Sequence, residues 1–376
     1  MRKRLLFVVN DSGFFVSHRL PLALGARDGG FEVHVASAPG DGVAAIESHG
    51  IQHHRLGLSR SGINPLREAL TFLEILSLMR RLGPDLVHLV TSKPVIYGGI
   101  AARLLGVRGV VAAISGLGHV FTAHDLRTRA IRSLVTMAYR VALTRDDLTV
   151  IFQNSSDRDL LTRAGAVALD KTLLVRGSGV DLRVYKALPE PDGIPVVTFA
   201  ARLLRAKGVF EFVAAAKRLH ARGVQCRFLL AGDADPGNIA SVTEDEIAQW
   251  RADGTVEVLG HRRDIAELFA ASNLVVLPSY YGEGVPKVLV EAAACGRAVV
   301  TTDMPGCRDA VEPGETALLV PPRDAVALAQ AVGELLADRE RRHRMGVAGR
   351  ALAEREYGVE RIVATHLDVY RSLIHV

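Results

Sequence analysis

The sequence predicts an α/β protein made of two doubly wound units, each a parallel sheet covered by helices. Three observations predict it. Short Val-, Leu- and Ile-rich runs alternate with longer amphipathic stretches along the whole chain, the pattern of βαβ units. The length of 376 residues exceeds one comfortable core and fits two domains of ordinary size. A Pro-rich break at residues 187–195 splits the alternation into two series.

In the first series, strands are expected at residues 5–9, 32–36, 86–90, 110–114, 149–152 and 172–175, with helices between them. The opening Met1-Arg2-Lys3-Arg4 and its apolar run imitate a secretory signal, but Asn10-Asp11 stop the run early, so it reads as a first strand. The second series starts at residues 196–200 and continues at 227–231, 256–259, 274–277 and 298–301. The expected units are residues 1–187 and 195–355, with a final helix at 356–376 as a candidate to cross back to the first. No solenoid repeat or low-complexity tract occurs, and no run approaches the roughly 20 apolar residues of a membrane span. Doubly wound sheets bind ligands at the carboxyl ends of their strands, so the expected site is a cleft between the units.

Composition narrows the class. Hydrophobic residues make up 49% of the chain, as in a protein with large cores. The three cysteines, Cys226, Cys295 and Cys307, form no CxxC pair, which argues against a disulfide framework or a zinc site and for a reducing cytoplasm. Residues 1–187 carry 24 Lys and Arg against 15 Asp and Glu, whereas the remainder carries 22 against 26. The basic first half points to a polyanionic partner or an anionic membrane surface, although Arg-rich helices are often solvated faces.

The segment Glu283-Gly284-Val285-Pro286-Lys287-Val288-Leu289-Val290-Glu291 holds two carboxylates eight positions apart. Residues 280–286 read as a Gly- and Pro-punctuated loop, and residues 285–295 as a helix opened by Pro286. Glu283 is therefore expected in a loop and Glu291 on the second helical turn, so the pair can approach one ligand from two sides while helix amides face an anion. An isolated glutamate is ordinarily a solvated charge. Here the helix is apolar nearly all round, with Ala292-Ala293-Ala294-Cys295 after Glu291, and a carboxylate buried in it needs partners. Sugar and ribose hydroxyls are suitable ones.

Upstream, Ala201-Arg202-Leu203-Leu204-Arg205-Ala206-Lys207-Gly208 follows an expected strand and precedes an amphipathic helix from about Val209. Arg202 and Lys207 flank this turn, where a guanidinium, an ammonium and free helix amides favour one diphosphate; a solvated basic loop is the equally common alternative. In the first unit, Asn10-Asp11-Ser12-Gly13 follows the first strand and precedes a helix with His18 and Arg19. Gly13 lets backbone approach a ligand, although GxGxxG is missing. A second Gly-rich turn, Ser115-Gly116-Leu117-Gly118-His119, makes Ser115 and His119 candidates for contacting sugar or acceptor, although a lone histidine is more often structural. Asp233-Ala234-Asp235 has the spacing of a metal-chelating DxD, but Gly232 and Pro236-Gly237 explain it as a turn, and no metal is expected. Gly177-Ser178-Gly179 lacks the frame of a hydrolase nucleophile elbow.

Taken in order, the following segments resemble retaining glycosyltransferases of family four, whose GT-B fold has two Rossmann-like domains: Ser17-His18-Arg19-Leu20-Pro21-Leu22, Ser61-Gly62-Ile63-Asn64-Pro65, Pro84-Asp85-Leu86-Val87-His88, Ser92-Lys93-Pro94, Gly116-Leu117-Gly118-His119-Val120-Phe121-Thr122, Phe152-Gln153-Asn154, Gly177-Ser178-Gly179-Val180-Asp181-Leu182, Ala201-Arg202-Leu203, Lys207-Gly208, Leu277-Pro278-Ser279-Tyr280, residues 283–291 and Pro305-Gly306-Cys307-Arg308. The resemblance spans essentially the whole chain. It is closest to the capsular-polysaccharide and bacterial N-glycan branch, N-acetylhexosaminyltransferases that use undecaprenyl-diphosphate-linked acceptors.

The resemblance implies an acceptor-binding first unit and a nucleotide-sugar-binding second unit. Arg202 and Lys207 would bind the donor diphosphate, Glu291 the ribose and Glu283 the donor sugar, with Gly284, Val285, Pro286 and Val288 around sugar and phosphate and Gly13 reaching the donor from the first unit. Ser12, His18, Arg19, Lys93, Ser115 and His119 fall to the acceptor side; Glu283, Arg202, Lys207 and His119 fall to the chemistry. Two positions depart from the family: Ser115 stands where many relatives carry His or Thr, and His119 where they carry an uncharged small or aromatic residue. The implied reaction is sugar transfer from a UDP-sugar with retention, by front-side attack, with no metal and no cofactor. The implied home is the cytoplasm, peripheral to the inner face of the plasma membrane, with no nucleic-acid partner. Arg127, Arg129, Arg132 and Arg140 share a helix with Ile131, Leu134, Val135 and Met137, which reads equally as a membrane-facing helix or an amphipathic core helix. A UDP-sugar epimerase of the same fold and a non-catalytic donor-binding subunit remain as alternatives.

Overall fold

The computed structural model describes residues 2–58, 64–117, 126–235, 237–238 and 240–374, with only the backbone of residues 126–131. The chain forms two compact units, Met1–Ser178 with Val359–Val376, and Gly179–Gly358.

The first unit holds a seven-stranded parallel sheet of β1 (Arg4–Asp11), β2 (Glu32–Ala38), β3 (Gln52–Arg55), β4 (Leu86–Val90), β5 (Gly109–Ile114), β6 (Leu148–Phe152) and β7 (Thr172–Leu174), in the order β3-β2-β1-β4-β5-β6-β7. Leu5 to Val9 are all fully buried, as a strand covered on both faces requires. Leu6 and Val8 pack with the helices Pro65–Leu82, Ser92–Leu105 and Leu126–Leu143, while Leu5, Phe7 and Val9 pack with Leu20–Asp28 and Val359–Ile374. That last helix is tied down by Tyr370, whose ring meets Phe31 edge-on at 5.9 Å and whose hydroxyl lies 2.5 Å from His88 Nδ1.

The second unit holds β8 (Val196–Ala200), β9 (Arg227–Ala231), β10 (Glu257–Gly260), β11 (Leu274–Leu277), β12 (Ala298–Thr302) and β13 (Ala317–Val320), in the parallel order β10-β9-β8-β11-β12-β13. The Pro-rich break is packed rather than loose. Arg342 forms a buried bidentate pair with Glu190, at 2.8 Å to Oε2; Arg297 donates to Leu188 O at 3.0 Å, and Asn273 Nδ2 to Pro191 O at 3.0 Å. Residues 179–187, expected ahead of the break, belong to this unit.

In both sheets the strand order reverses once, between β1 and β4 and between β8 and β11. Such a switch point leaves a crevice at the strands' carboxyl ends, because the connecting helices diverge to opposite faces.

Candidate functional site

The loops leaving β8 and β11 supply the charged residues at the switch point of the second unit. Arg202 stands just past β8, and Lys207 ends a short 3-10 turn, Arg205–Lys207, before the helix Val209–Ala221. Gly208 joins turn to helix at φ +79°, and a Cβ there would lie 2.1 Å from Pro278 O, just past β11. Only glycine allows this approach. It brings Lys207 to the β11 loop, where its ammonium donates to Glu283 Oε2. Ser279 Oγ donates to Glu283 Oε1 at 2.7 Å. Both charged side chains of the pair are only 15% exposed.

Glu291 is the fifth residue of the helix Lys287–Ala294 and is buried, as the apolar pattern around it predicts. The helix begins two residues later than expected. Pro286 is its N-cap, at φ −63° and ψ 123°, rather than a residue of its first turn. Glu291 still falls on the second turn. The Tyr185 hydroxyl donates to its Oε1 at 2.7 Å, and Lys287 Nζ lies 3.3 Å from the same oxygen. Burial first, then the adjacent Glu291 charge, push the Tyr185 phenol well up, so it remains an O–H donor. No local pattern marks Tyr185, which meets Glu291 across 106 positions. Leu289 and Val290, each almost fully buried, fix the helix by about 1.5–3 kcal/mol apiece.

The loop carrying Gly284 and Val285 is held from the far side by Gly306, at φ +83°, where a Cβ would sit 1.7 Å from Gly284 O. Val285 is buried and Val288 half-buried. Cys307, beside Glu283, is pushed up to about 12, mainly by burial, which leaves it a thiol and not a nucleophile. Arg202 pairs with Asp235 at 2.7 Å while remaining half exposed. The Asp233-Ala234-Asp235 run thus gives one carboxylate to a guanidinium, and no group of three His, Cys, Asp or Glu among the described residues could hold a metal.

In the first unit the described residues assigned to the acceptor side, Ser12, His18, Arg19, Lys93 and Ser115, lie on the segments that follow β1, β4 and β5. Ser12 is fully buried at the start of the helix Ser12–His18, which Asp11 caps by accepting from Phe14 N at 2.7 Å. Gly13 lies inside that first turn rather than in an open loop, so the backbone does not require glycine there. His18 stacks on Phe14 with ring centroids 4.1 Å apart. Arg19 is buried and reaches Ser115 Oγ at 3.5 Å, so the fold joins two residues taken from distant motifs; burial lowers its guanidinium to about 10. Lys93 pairs with Glu68 at 2.6 Å, and Tyr97 donates to the same carboxylate at 2.7 Å. His119 lies outside the described residues, as do the side chains of Arg127 and Arg129. Arg140 donates to Ala164 O at 2.8 Å and Gly165 O at 3.0 Å, and so packs against its own unit.

Comparison with known proteins identifies the family. Residues 184–352 match the family model Glycosyl transferases group 1, and residues 4–154 match Glycosyl transferase 4-like. The chain is 32% identical over 308 residues to alpha-maltose-1-phosphate synthase of Mycolicibacterium smegmatis, covering 74% of this chain and 77% of that one. It is 25% identical over 385 residues, 99% of each chain, to the N,N'-diacetylbacillosaminyl-diphospho-undecaprenol alpha-1,3-N-acetylgalactosaminyltransferase of Campylobacter jejuni. Among solved structures, sucrose-phosphate synthase from Thermosynechococcus elongatus superposes with a TM-score of 0.81 over the whole of both chains at 23% identity. HepE of Anabaena in complex with UDP superposes with a TM-score of 0.77 at 21% identity, over 99% of this chain and 100% of that one. Two parallel-sheet units, a charged switch point in the second and these matches lead to one conclusion: the chain belongs to the family-four, group 1 glycosyltransferases of the GT-B fold.

Proposed function

We propose that the protein is a retaining glycosyltransferase that moves a hexose or N-acetylhexosamine from a UDP-sugar to an undecaprenyl-diphosphate-linked saccharide. The observation that carries this reading is the Lys207–Glu283 pair at the switch point, with Arg202 on the same loop after β8 and Glu291 on the helix that follows the loop after β11. A nucleoside diphosphate sugar needs cations and helix amides for its phosphates and carboxylates for its hydroxyls, and this arrangement offers both. Arg202, Lys207 and the amides before the helix Lys287–Ala294 stabilise charge growing on the departing diphosphate, commonly the largest catalytic contribution. Glu283, engaged on both oxygens, orients the sugar rather than taking a proton. The leaving phosphate serves as base, and no metal is required. The UDP-bound HepE and the undecaprenol-linked substrate named for the Campylobacter enzyme support the choice of donor and acceptor.

Peripheral contact with an anionic membrane completes the reading, supported by one helical layer of the first unit. The helices Pro65–Leu82, Ser92–Leu105 and Leu126–Leu143 pack side by side and carry nine Lys and Arg against two Glu, a surplus of +7 in a chain of net +5. Both glutamates are turned to partners, Glu68 to Lys93 and Glu74 to Gly57 N at 2.6 Å. The outer side shows Leu66, Leu70 and Leu73 at helical spacing, 77%, 60% and 54% exposed, with Leu134 and Met137 exposed on the third helix. Apolar residues amid a positive field suit an anionic lipid surface, while two copies of such a face repel one another. No described helix is long and apolar enough to cross a membrane.

Incubation of the purified protein with a panel of UDP-sugars and polyprenyl-diphosphate-linked glycans, read by mass spectrometry, tests the reading. One elongated lipid with release of UDP is expected. Epimerised nucleotide sugar without elongated lipid, or UDP binding without turnover, replaces it with one of the alternatives.

A further inference from the structure

We propose that Tyr185 is the positioning residue of the nucleotide site, holding the Glu291 carboxylate so that its Oε2 faces the two ribose hydroxyls. The inference rests on the reading of Glu291 as the ribose contact and adds the group that aims it. Among the described residues, Tyr185 and Lys287 both approach Glu291 at Oε1, so the carboxylate is turned by one edge only. The two differ in rigidity. Lys287 is a flexible i,i+4 neighbour at 3.3 Å with a third of its side chain exposed, and contributes little directional hold. Tyr185 has a stiff ring with two rotatable bonds, packed against the core of the second unit.

Its backbone is clamped to the helix that carries Glu291. Arg350 Nη1 donates to Tyr185 O and to Ala294 O, both at 2.7 Å, tying the base of the ring to the end of the helix Lys287–Ala294. Tyr185 N bonds Asp181 O at 2.9 Å, and Val180 N bonds Tyr357 O at 2.8 Å, which fixes the segment before it. The hydroxyl therefore reaches Glu291 from a frame that cannot drift without moving the helix. A bond of this kind to a carboxylate is about twice as strong as a neutral one and directional, so its loss frees the carboxylate to rotate.

Titration calorimetry with UDP and 2′-deoxy-UDP on wild type, Tyr185→Phe and Glu291→Gln tests this, because the deoxy nucleotide lacks one hydroxyl that Glu291 would accept from. Wild type is expected to prefer UDP by at least about tenfold, the worth of one charge-assisted hydrogen bond. Glu291→Gln is expected to erase most of that preference. Tyr185→Phe, which keeps ring and packing, is expected to lower it about fivefold while leaving the deoxy nucleotide's affinity unchanged. If Tyr185→Phe keeps the full preference while Glu291→Gln loses it, or weakens both nucleotides equally, the positioning role is wrong and the donor site stands. If Glu291→Gln also keeps the preference, or wild type does not bind UDP, the donor-site reading itself has failed.

Discussion

The ammonium of Lys207 and the carboxylate of Glu283 form an ion pair that joins the loop after β8 to the loop after β11, across the switch point of the second sheet. Each side chain is 76 positions from its partner, and the Gly208–Pro278 approach makes the contact. Under the proposed donor reading, an incoming diphosphate would compete with Glu283 for Lys207, which the pair already neutralises. The ammonium would then pass from a carboxylate to a phosphate as donor binds, leaving Glu283 to the sugar.

Gly306→Ala tests how tightly the donor loop is held. The new methyl would overlap Gly284 O, and the left-handed backbone at φ +83° adds strain for any side chain. Steady-state transfer is expected to fall about a hundredfold, as for a misplacement of the order of 1 Å, with an unchanged circular dichroism spectrum. Near-normal turnover contradicts the role given to this loop.

Asp235→Asn releases Arg202 from its only carboxylate among the described residues. UDP affinity is expected to hold or rise, and turnover to be insensitive to EDTA in wild type and variant alike. Stability changes little, since a half-exposed pair contributes about 0–1 kcal/mol. Activity lost to EDTA and restored by a divalent cation shows instead that the aspartates hold a metal.

Most of this architecture was legible in the sequence, and the failures have physical causes. The apolar runs gave eleven strands because parallel strands buried on both faces read as continuous Val, Leu and Ile. β3 escaped because Gln52-His53-His54-Arg55 is an edge strand of polar residues, exposed at both ends and only partly buried at its two histidines, so no apolar signal marks it. β13 escaped because four residues ahead of Pro321-Pro322 are too short to show a period. Arg202, Lys207, Glu283 and Glu291 stand out in the sequence as candidates because each sits in a local motif. Tyr185 and the Arg19–Ser115 contact were not, since both depend on side chains that meet only when distant loops pack.

Acid should loosen the first unit through two buried histidines. Burial lowers His366 to about 4 and His88 well below its usual value, with the Arg19 charge adding to both. Well above pH 6.5 both are neutral in either state. As pH falls through 6.5, the unfolded chain takes up protons that the folded chain excludes, and stability drops with a slope that approaches about 1.4 kcal/mol per pH unit for each histidine that stays neutral in the fold. The thermal midpoint is expected to fall between pH 6.5 and 5, and less steeply in His366→Asn. A flat profile in wild type removes this explanation.

Replacing Leu66, Leu70 and Leu73 together by Ser is expected to cut co-sedimentation with phosphatidylglycerol-containing vesicles at least about fivefold. Wild-type binding should weaken as salt rises and be slight on purely zwitterionic vesicles. Equal binding by wild type and variant places the membrane contact elsewhere.

The donor site itself is tested most directly by titrating UDP into wild type, Glu283→Ala and Arg202→Ala, alongside transfer assays on the same preparations. Glu283→Ala is expected to abolish transfer yet bind UDP as well as wild type or better, because Lys207 is freed for the phosphates, while Arg202→Ala is expected to lose about tenfold in UDP affinity and transfer with it. Equal losses of UDP affinity in the two variants, or transfer that survives Glu283→Ala, contradict it.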